Sequence, residues 1–400
     1  MKCRIFCVLL IAVTSCGLSE VGGGSASEKV TGGIWGGPLG NPSTGVLEQV
    51  CYMTAFDYKK GYDWKADPSR ESVRCSLVVY ADGEMIMKVP VGDVYEISAD
   101  PDMHRIIDGH LYTDYSTETE TVIKKNGETL FRYPERESIC GMVVRSGDVY
   151  TLGQSRDGNG FAYRRNGEIL FARQTGTVMG QLRNASDSLC FAYYDRIQSA
   201  DGGVERYYSV CEGKMSQVAV RDDIRKVWDI ISSGTSVVCL ATLVGVETPV
   251  IFIDDRMTAL NIQKGVTVVS ASLFESADRI GAEIIYRSGN NLYTLLWFNG
   301  SVVQIFSSGM TISSLYMLDD GFCCTVNPGA SDRKGIIYRA GEQYDMPSGY
   351  SCVGNGAMTM VNGILYTGLS STNGERPLLW KDGQLDTLMI NGYISSISAQ

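Results

Sequence analysis

Short apolar or alternating runs, each closed by turn residues, follow one another along this chain. The pattern is cleanest between residues 139 and 173. Ile139 to Arg145 is largely apolar, Ser146-Gly147 turns, and Asp148-Val149-Tyr150-Thr151-Leu152 forms a second run. A polar loop from Ser155 to Gly160 leads to Phe161-Ala162-Tyr163-Arg164-Arg165, then Asn166-Gly167, then Glu168-Ile169-Leu170-Phe171. Asn-Gly between two β-rich runs predicts a two-residue type I′ hairpin, because both central residues need positive φ. The unit therefore holds four strands, and this turn joins the third to the fourth.

The same turn recurs eight times, at Asp82-Gly83, Asn126-Gly127, Asn166-Gly167, Glu212-Gly213, Asp254-Asp255, Asn299-Gly300, Ala340-Gly341 and Asp382-Gly383. Successive intervals are 44, 40, 46, 42, 45, 41 and 42 residues. A near-constant period of this size, with short strands in each unit, predicts an all-β fold: a β-propeller of eight four-stranded blades. Seven blades is the alternative, because the Asp254-Asp255 unit and residues 265–291 are the least regular. Aromatics near the turns, in Leu379-Trp380-Lys381-Asp382-Gly383, Trp297-Phe298-Asn299-Gly300 and Tyr338-Arg339-Ala340-Gly341, are predicted to pack between blades.

The two ends of the repeat complement each other. The first unit opens at Gln49-Val50-Cys51-Tyr52-Met53, which corresponds to a second strand with no first strand before it. After the last turn, Gly392-Tyr393-Ile394-Ser395-Ser396-Ile397-Ser398 reads as a first strand with no blade after it. The C-terminal strand is thus expected to complete the N-terminal blade and remove two exposed edges.

Composition adds the N-terminal picture. Lys2 and Arg4 precede a nine-residue apolar core, Ile5 to Val13, which is too short to span a bilayer and reads as an export signal. Val13-Thr14-Ser15-Cys16 resembles the lipobox of bacterial lipoproteins, which implies lipidation of Cys16 and a membrane partner through that lipid. The expected organisation is a signal at 1–15, a Gly- and Ser-rich tether at 16–45 and a single propeller domain at 46–400. The location this implies is the bacterial cell envelope, on the outer membrane, facing the periplasm or the surface. Net charge is −10, and loss of Lys2 and Arg4 takes it to −12, with no basic block, so nucleic acid is not an expected partner. Nine of the twelve cysteines lie beyond Cys16, mostly in apolar runs, and read as small buried hydrophobes with room for one or two disulfides.

The recurring aromatic-x-x-Asn/Asp-Gly turn together with the lipobox resembles β-propeller lipoproteins of bacteria over residues 47–400. That resemblance implies architecture and is silent on activity. Trp228-Asp229 occurs once, unlike a WD repeat. Ser199-Ala200-Asp201-Gly202-Gly203 resembles the start of an Asp-box but is not repeated.

Candidate chemistry gathers in long second-to-third-strand loops. Asp57 to Glu71 holds Tyr58, Lys59, Lys60, Tyr62, Trp64, Lys65 and Arg70, which suit stacking on sugar rings and pairing with acidic groups. Tyr62 and Trp64 packing onto their own blade is the competing reading. Asp195 to Arg206 and Ser155 to Gly160 add Arg196, Arg156 and Asp157. Tyr62, Trp64, Arg70, Arg156, Asp157 and Arg196 are the ligand-binding candidates. Asp157-Gly158-Asn159-Gly160 lacks the later bidentate acid of a calcium loop and reads as a solvated turn, so no metal site is expected. His104 and His110, the only histidines, are expected to be structural or on the surface. No Gly-x-Ser-x-Gly, His-Glu-x-x-His or phosphate loop occurs, and no cofactor is called for. The reading is a binding or scaffold module for a glycan, peptide or envelope protein. A carbohydrate-active hydrolase or lyase at the channel mouth is the alternative, since carboxylate pairing around a ring is not visible in sequence.

Overall fold

The structure is a computed structural model. It describes residues 49–400 except 64–74, 91–103, 157–159, 186–187, 200–201, 219–222, 233–235, 247, 255, 261, 263–264, 277–278, 299, 307–310, 319–320, 328–333, 340, 353–357 and 372. Eight antiparallel four-stranded sheets follow one another as blades of a β-propeller. Blade 1 is composite. Its innermost strand is Gly392–Ala399, followed outward by Cys51–Tyr58, Cys75–Ala81 and Glu84–Pro90. Blades 2 to 8 occupy 104–133, 137–173, 177–217, 224–259, 267–306, 311–345 and 350–387. The innermost strand of blade 8 comes in two pieces, Tyr350–Ser351 and Met358–Val361, both paired with Ile364–Ser371. The count is eight, and the irregular Asp254 unit is an ordinary blade.

The turns explain the period. Asp82, Asn126, Asn166, Glu212, Asp254 and Asp382 take φ of 42–51°, which their short polar side chains tolerate better than other residues do. Backbone permissiveness is only half of the reason for these residues. In each of the six, the turn residue's N–H donates to a carbonyl near the start of the second strand. Its side-chain oxygen accepts the N–H of that same residue: Cys51, Leu111, Val149, Leu189, Val237 or Leu365, at 2.8–3.1 Å. The side chain thus reaches past the third strand's end to fix where the second begins.

Apolar residues from neighbouring blades make shared clusters. Phe56 and Leu77 of blade 1 pack with Ile106, Leu111 and Val122 of blade 2, all but fully buried. Tyr163 of blade 3 meets Phe191 and Tyr193 of blade 4, and the predicted aromatics Trp297 and Trp380 are buried as well. Polar side chains stitch the same junctions. Thr121 Oγ1 accepts the Glu137 N–H at 2.8 Å, Gln154 Oε1 that of Val178 at 2.7 Å, and Asn327 Oδ1 that of Cys352 at 3.0 Å. Each is a donor at or near the next blade's innermost strand, which would otherwise be buried unpaired.

The closing strand pairs with Cys51–Tyr58 from Cys51↔Ala399 to Asp57↔Gly392, with one bulge. Val50 and Gln400 exchange both backbone hydrogen bonds beyond it. Gly392 is obligatory here, because a Cβ on it would stand 1.8 Å from the Phe56 carbonyl oxygen.

One disulfide, Cys190–Cys211, occurs among the described residues, and the other described cysteines are mostly buried. It occupies a cross-strand position that other blades fill differently. Tyr112↔Lys125, Tyr150↔Arg165 and Tyr366↔Lys381 sit in the same register with the cation 5.3–5.9 Å from the ring centroid. Burial pushes the thiols of Cys51, Cys75 and Cys239 up to about 12, so they remain protonated and unreactive.

Candidate functional site

Strand alternation sorts the connections onto two faces. The Asn/Asp-Gly turns share one face with the turns between first and second strands. Connections between second and third strands, and between blades, share the other. Among the described residues, connections on this second, loop face differ from blade to blade, and function concentrates on such loops in scaffolded proteins.

A cleft of about 800 Å³ opens on the loop face where the ring closes. Blade 1 supplies Asp57, Lys59, Lys60 and Lys88, and the chain on the other side supplies Glu375, Arg376 and Asn391. Asp57 ends the second strand and organises the floor. Its Oδ2 takes Lys88 Nζ at 2.7 Å, while its Oδ1 accepts the Asn391 N–H at 3.0 Å. The Asn391 side chain in turn donates to the Lys59 carbonyl at 3.0 Å and the Tyr62 carbonyl at 3.3 Å. The carbonyls of the loop are thereby tied down, and Lys59 and Lys60 remain exposed. Such an arrangement can hold a negatively charged or hydroxyl-rich ligand.

The candidate residues from sequence fall in three blades. Tyr62 is half-buried, its ring 5.6 Å from that of Tyr58 against the blade 1 core, which is the packing reading of this residue. Trp64, Arg70 and Asp157 lie outside the described residues. Arg156 is exposed on blade 3, where its N–H donates to the Arg136 carbonyl. Arg196 is exposed on blade 4, in register with Glu205. Its segment, expected as a loop, is instead an extended hairpin, Ser188–Ser199 with Gly202–Cys211. The structure brings Tyr62 beside the cleft and leaves Arg156 and Arg196 on other blades. Lys88, Arg376 and Asn391 were not singled out in sequence. Lys88 comes from the outer strand of blade 1, whereas Arg376 and Asn391 join the cleft only through the ring closure, and the predicted latch was the one signal that could have placed those two there.

The interior holds both histidines' strands and several acids. His104 is buried, its Nε2 2.9 Å from Thr54 Oγ1 and 3.0 Å from Ser395 Oγ, between blades 1 and 2. His110 is partly exposed against Asn126, so the two histidines serve separate structural roles. The buried carboxylates among the described residues are Asp114, Glu137, Asp195 and Asp229. Asp114 pairs with Arg105 at 3.1 Å and Asp195 with Arg173 at 3.2 Å. Glu137 takes both Arg164 nitrogens, at 2.6 and 2.8 Å, under the Tyr133 ring. Asp229 accepts the N–H groups of Ile230 and Leu273, each at 2.8 Å, and burial raises its pKa. Asp114, Glu137 and Asp195 are thus each balanced by an arginine. Glu283 on blade 6 differs: burial raises it to about 7. No cluster of three or more His, Cys, Asp or Glu side chains suited to a metal is present among the described residues.

No family model and no curated protein matches this chain. Solved structures do resemble it. Dihydro-heme d1 dehydrogenase NirN aligns with a TM-score of 0.50 and 10% identity, over 86% of this chain and 74% of that one. The β-propeller domain of the Trilobed protease from Pyrococcus furiosus aligns at 0.44 and 9%, over 74% and 92%. SapL1 lectin, in complex with alpha methyl fucoside, aligns at 0.31 and 10%, over 64% and 96%. At these identities the likeness concerns the propeller fold alone, a scaffold on which unrelated activities are built.

Proposed function

We propose that this protein is a lipid-anchored module of the bacterial envelope that binds a glycan, peptide or envelope protein on its loop face. The cleft between blade 1 and the ring closure carries this reading: it is concave, polar and built on a rigid scaffold. Asp114, Glu137 and Asp195 are each paired with an arginine, which favours binding over hydrolysis by a free pair of carboxylates. The lipobox and the short apolar signal support the anchor. The cross-strand disulfide is in keeping with an oxidising compartment. The chain enters blade 1 beside Gln400 on the turn face, so a tether attached there leaves the loop face pointing away from the anchor.

A screen of the mature chain against immobilised glycans and peptides tests the binding reading. A hit lost on charge reversal of Lys60 or Arg376 supports it. Ligand turnover abolished by a single channel substitution overturns it. Radiolabelled palmitate incorporation that survives Cys16→Ser would remove the anchor.

A further inference from the structure

The cleft at the ring closure holds cations that the fold does not use. Lys88 is committed to Asp57. Glu375 shares the Tyr350 hydroxyl with the Arg376 carbonyl. Among the described residues, Lys59 and Lys60 have no ion-pair partner. Arg376 sets its guanidinium against the thioether of Met389 at 2.6 Å, a weak acceptor. Three cations thus face one opening, without carboxylates of their own, in a chain of net charge −10. Met389 beside them is 75% exposed and offers an apolar surface next to the charge.

The backbone around the cleft argues against a peptide. Docking by strand addition needs an unpaired strand edge. Cys51–Tyr58 and Cys75–Ala81, which wall the cleft, are paired on both sides. The outer strand Glu84–Pro90 ends there in Pro90, which has no N–H to offer. A ligand that needs no strand edge, carries repeated carboxylates and presents flat apolar sugar faces fits these groups. The planar Arg376 fork suits a carboxylate, the two lysines act as point charges, and Met389 covers a ring face.

We propose that the cleft binds an acidic polysaccharide and that the bound chain bridges the seam of the ring, from Lys59 and Lys60 on the N-terminal side to Arg376 on the C-terminal side. This rests on the loop-face binding reading above. Because blade 1 is held together across that seam by a ladder of hydrogen bonds and apolar packing, with no covalent link, occupancy opposes its opening by mass action.

The test is calorimetric titration of the full mature chain with galacturonate oligomers, alongside their methyl esters and polyglutamate, with amide exchange followed in parallel. Galacturonate is expected to bind, raise Tm by about 3 °C or more at saturation and slow exchange in Cys51–Tyr58 and Gly392–Ala399. Arg376→Glu and the double change Lys59→Glu with Lys60→Glu are expected to melt like the parent and lose affinity about tenfold or more. Parent-like binding by both variants overturns the proposal, as does tighter binding of polyglutamate. Equal affinity for the methyl ester overturns the acidic class while leaving loop-face binding standing. Silence of every glycan and peptide overturns both.

Discussion

The turn face and the loop face of the ring are built from the same eight sets of strands, yet they hold their backbone differently. On the turn face, an Asp, Asn or Glu at one position accepts the second strand's N–H in six blades, at nearly constant φ. On the loop face the described connections differ: Asn391 bridges two carbonyls at the seam, blade 4 extends its hairpin, and Gln154 stitches blade 3 to blade 4. Repetition marks where the fold constrains sequence, and its absence marks where side chains are free to serve a ligand.

The largest effect expected falls on the strand that joins both faces. Removing Tyr393 to Gln400 strips blade 1 of its innermost strand, and the loss is expected to exceed the 4–5 kcal/mol or so that marks an exceptional perturbation. Gly392→Ala should approach it, because the new methyl meets the Phe56 carbonyl. Melting curves of either variant matching the parent would refute the latch.

Next comes a direct contrast between faces. Asn166→Ala loses the bond to the Val149 N–H and forces alanine into positive φ, for an expected cost of about 2–3 kcal/mol. Lys60→Glu on the loop face should stay within about 0.5 kcal/mol. Urea unfolding of the pair decides it, and equal midpoints would erase the distinction drawn here.

The smallest effect is pH-dependent and lies in the interior. Folded Glu283 holds its proton up to about pH 7, whereas a free glutamate releases it near 4.5. The folded state therefore binds more protons in that window. Stability from this group is full below the lower value and is lost as pH rises through the upper one. Glu283→Gln should stabilise by about 1–2 kcal/mol near pH 8 and change little near pH 4. Parallel stability–pH curves for the two proteins would remove Glu283 as the cause.

Architecture was legible in the sequence because it is periodic. Asn126, Asn166 and Asp382 announce their turns, and the surplus run from Gly392 announces the closure. The side-chain bond that makes Asn166 specific was not legible, since it reaches back seventeen positions from Asn166 to Val149 and requires the third strand's register. The cleft was half legible. Lys59 and Lys60 stand out in their loop, but Arg376 and Asn391 reach them from more than 300 positions away. Trp297 and Trp380 read correctly as core because alternation fixed their face. Cys190 and Cys211 gave no sign of pairing, as only the ladder shows that they stand opposite each other.

The closing strand also sets an order of events during synthesis. Thr54 and its partner Ser395 are separated by 341 positions. The ribosome must deliver seven further blades before the first can be finished. A contact of that range is among the costliest to close and the slowest to form. Until it does, the nascent chain carries an open-edged, three-stranded N-terminal sheet, a species that invites chaperones or mispairing. A fold that opens with an unfinished blade stays unfinished until its eighth blade has been made.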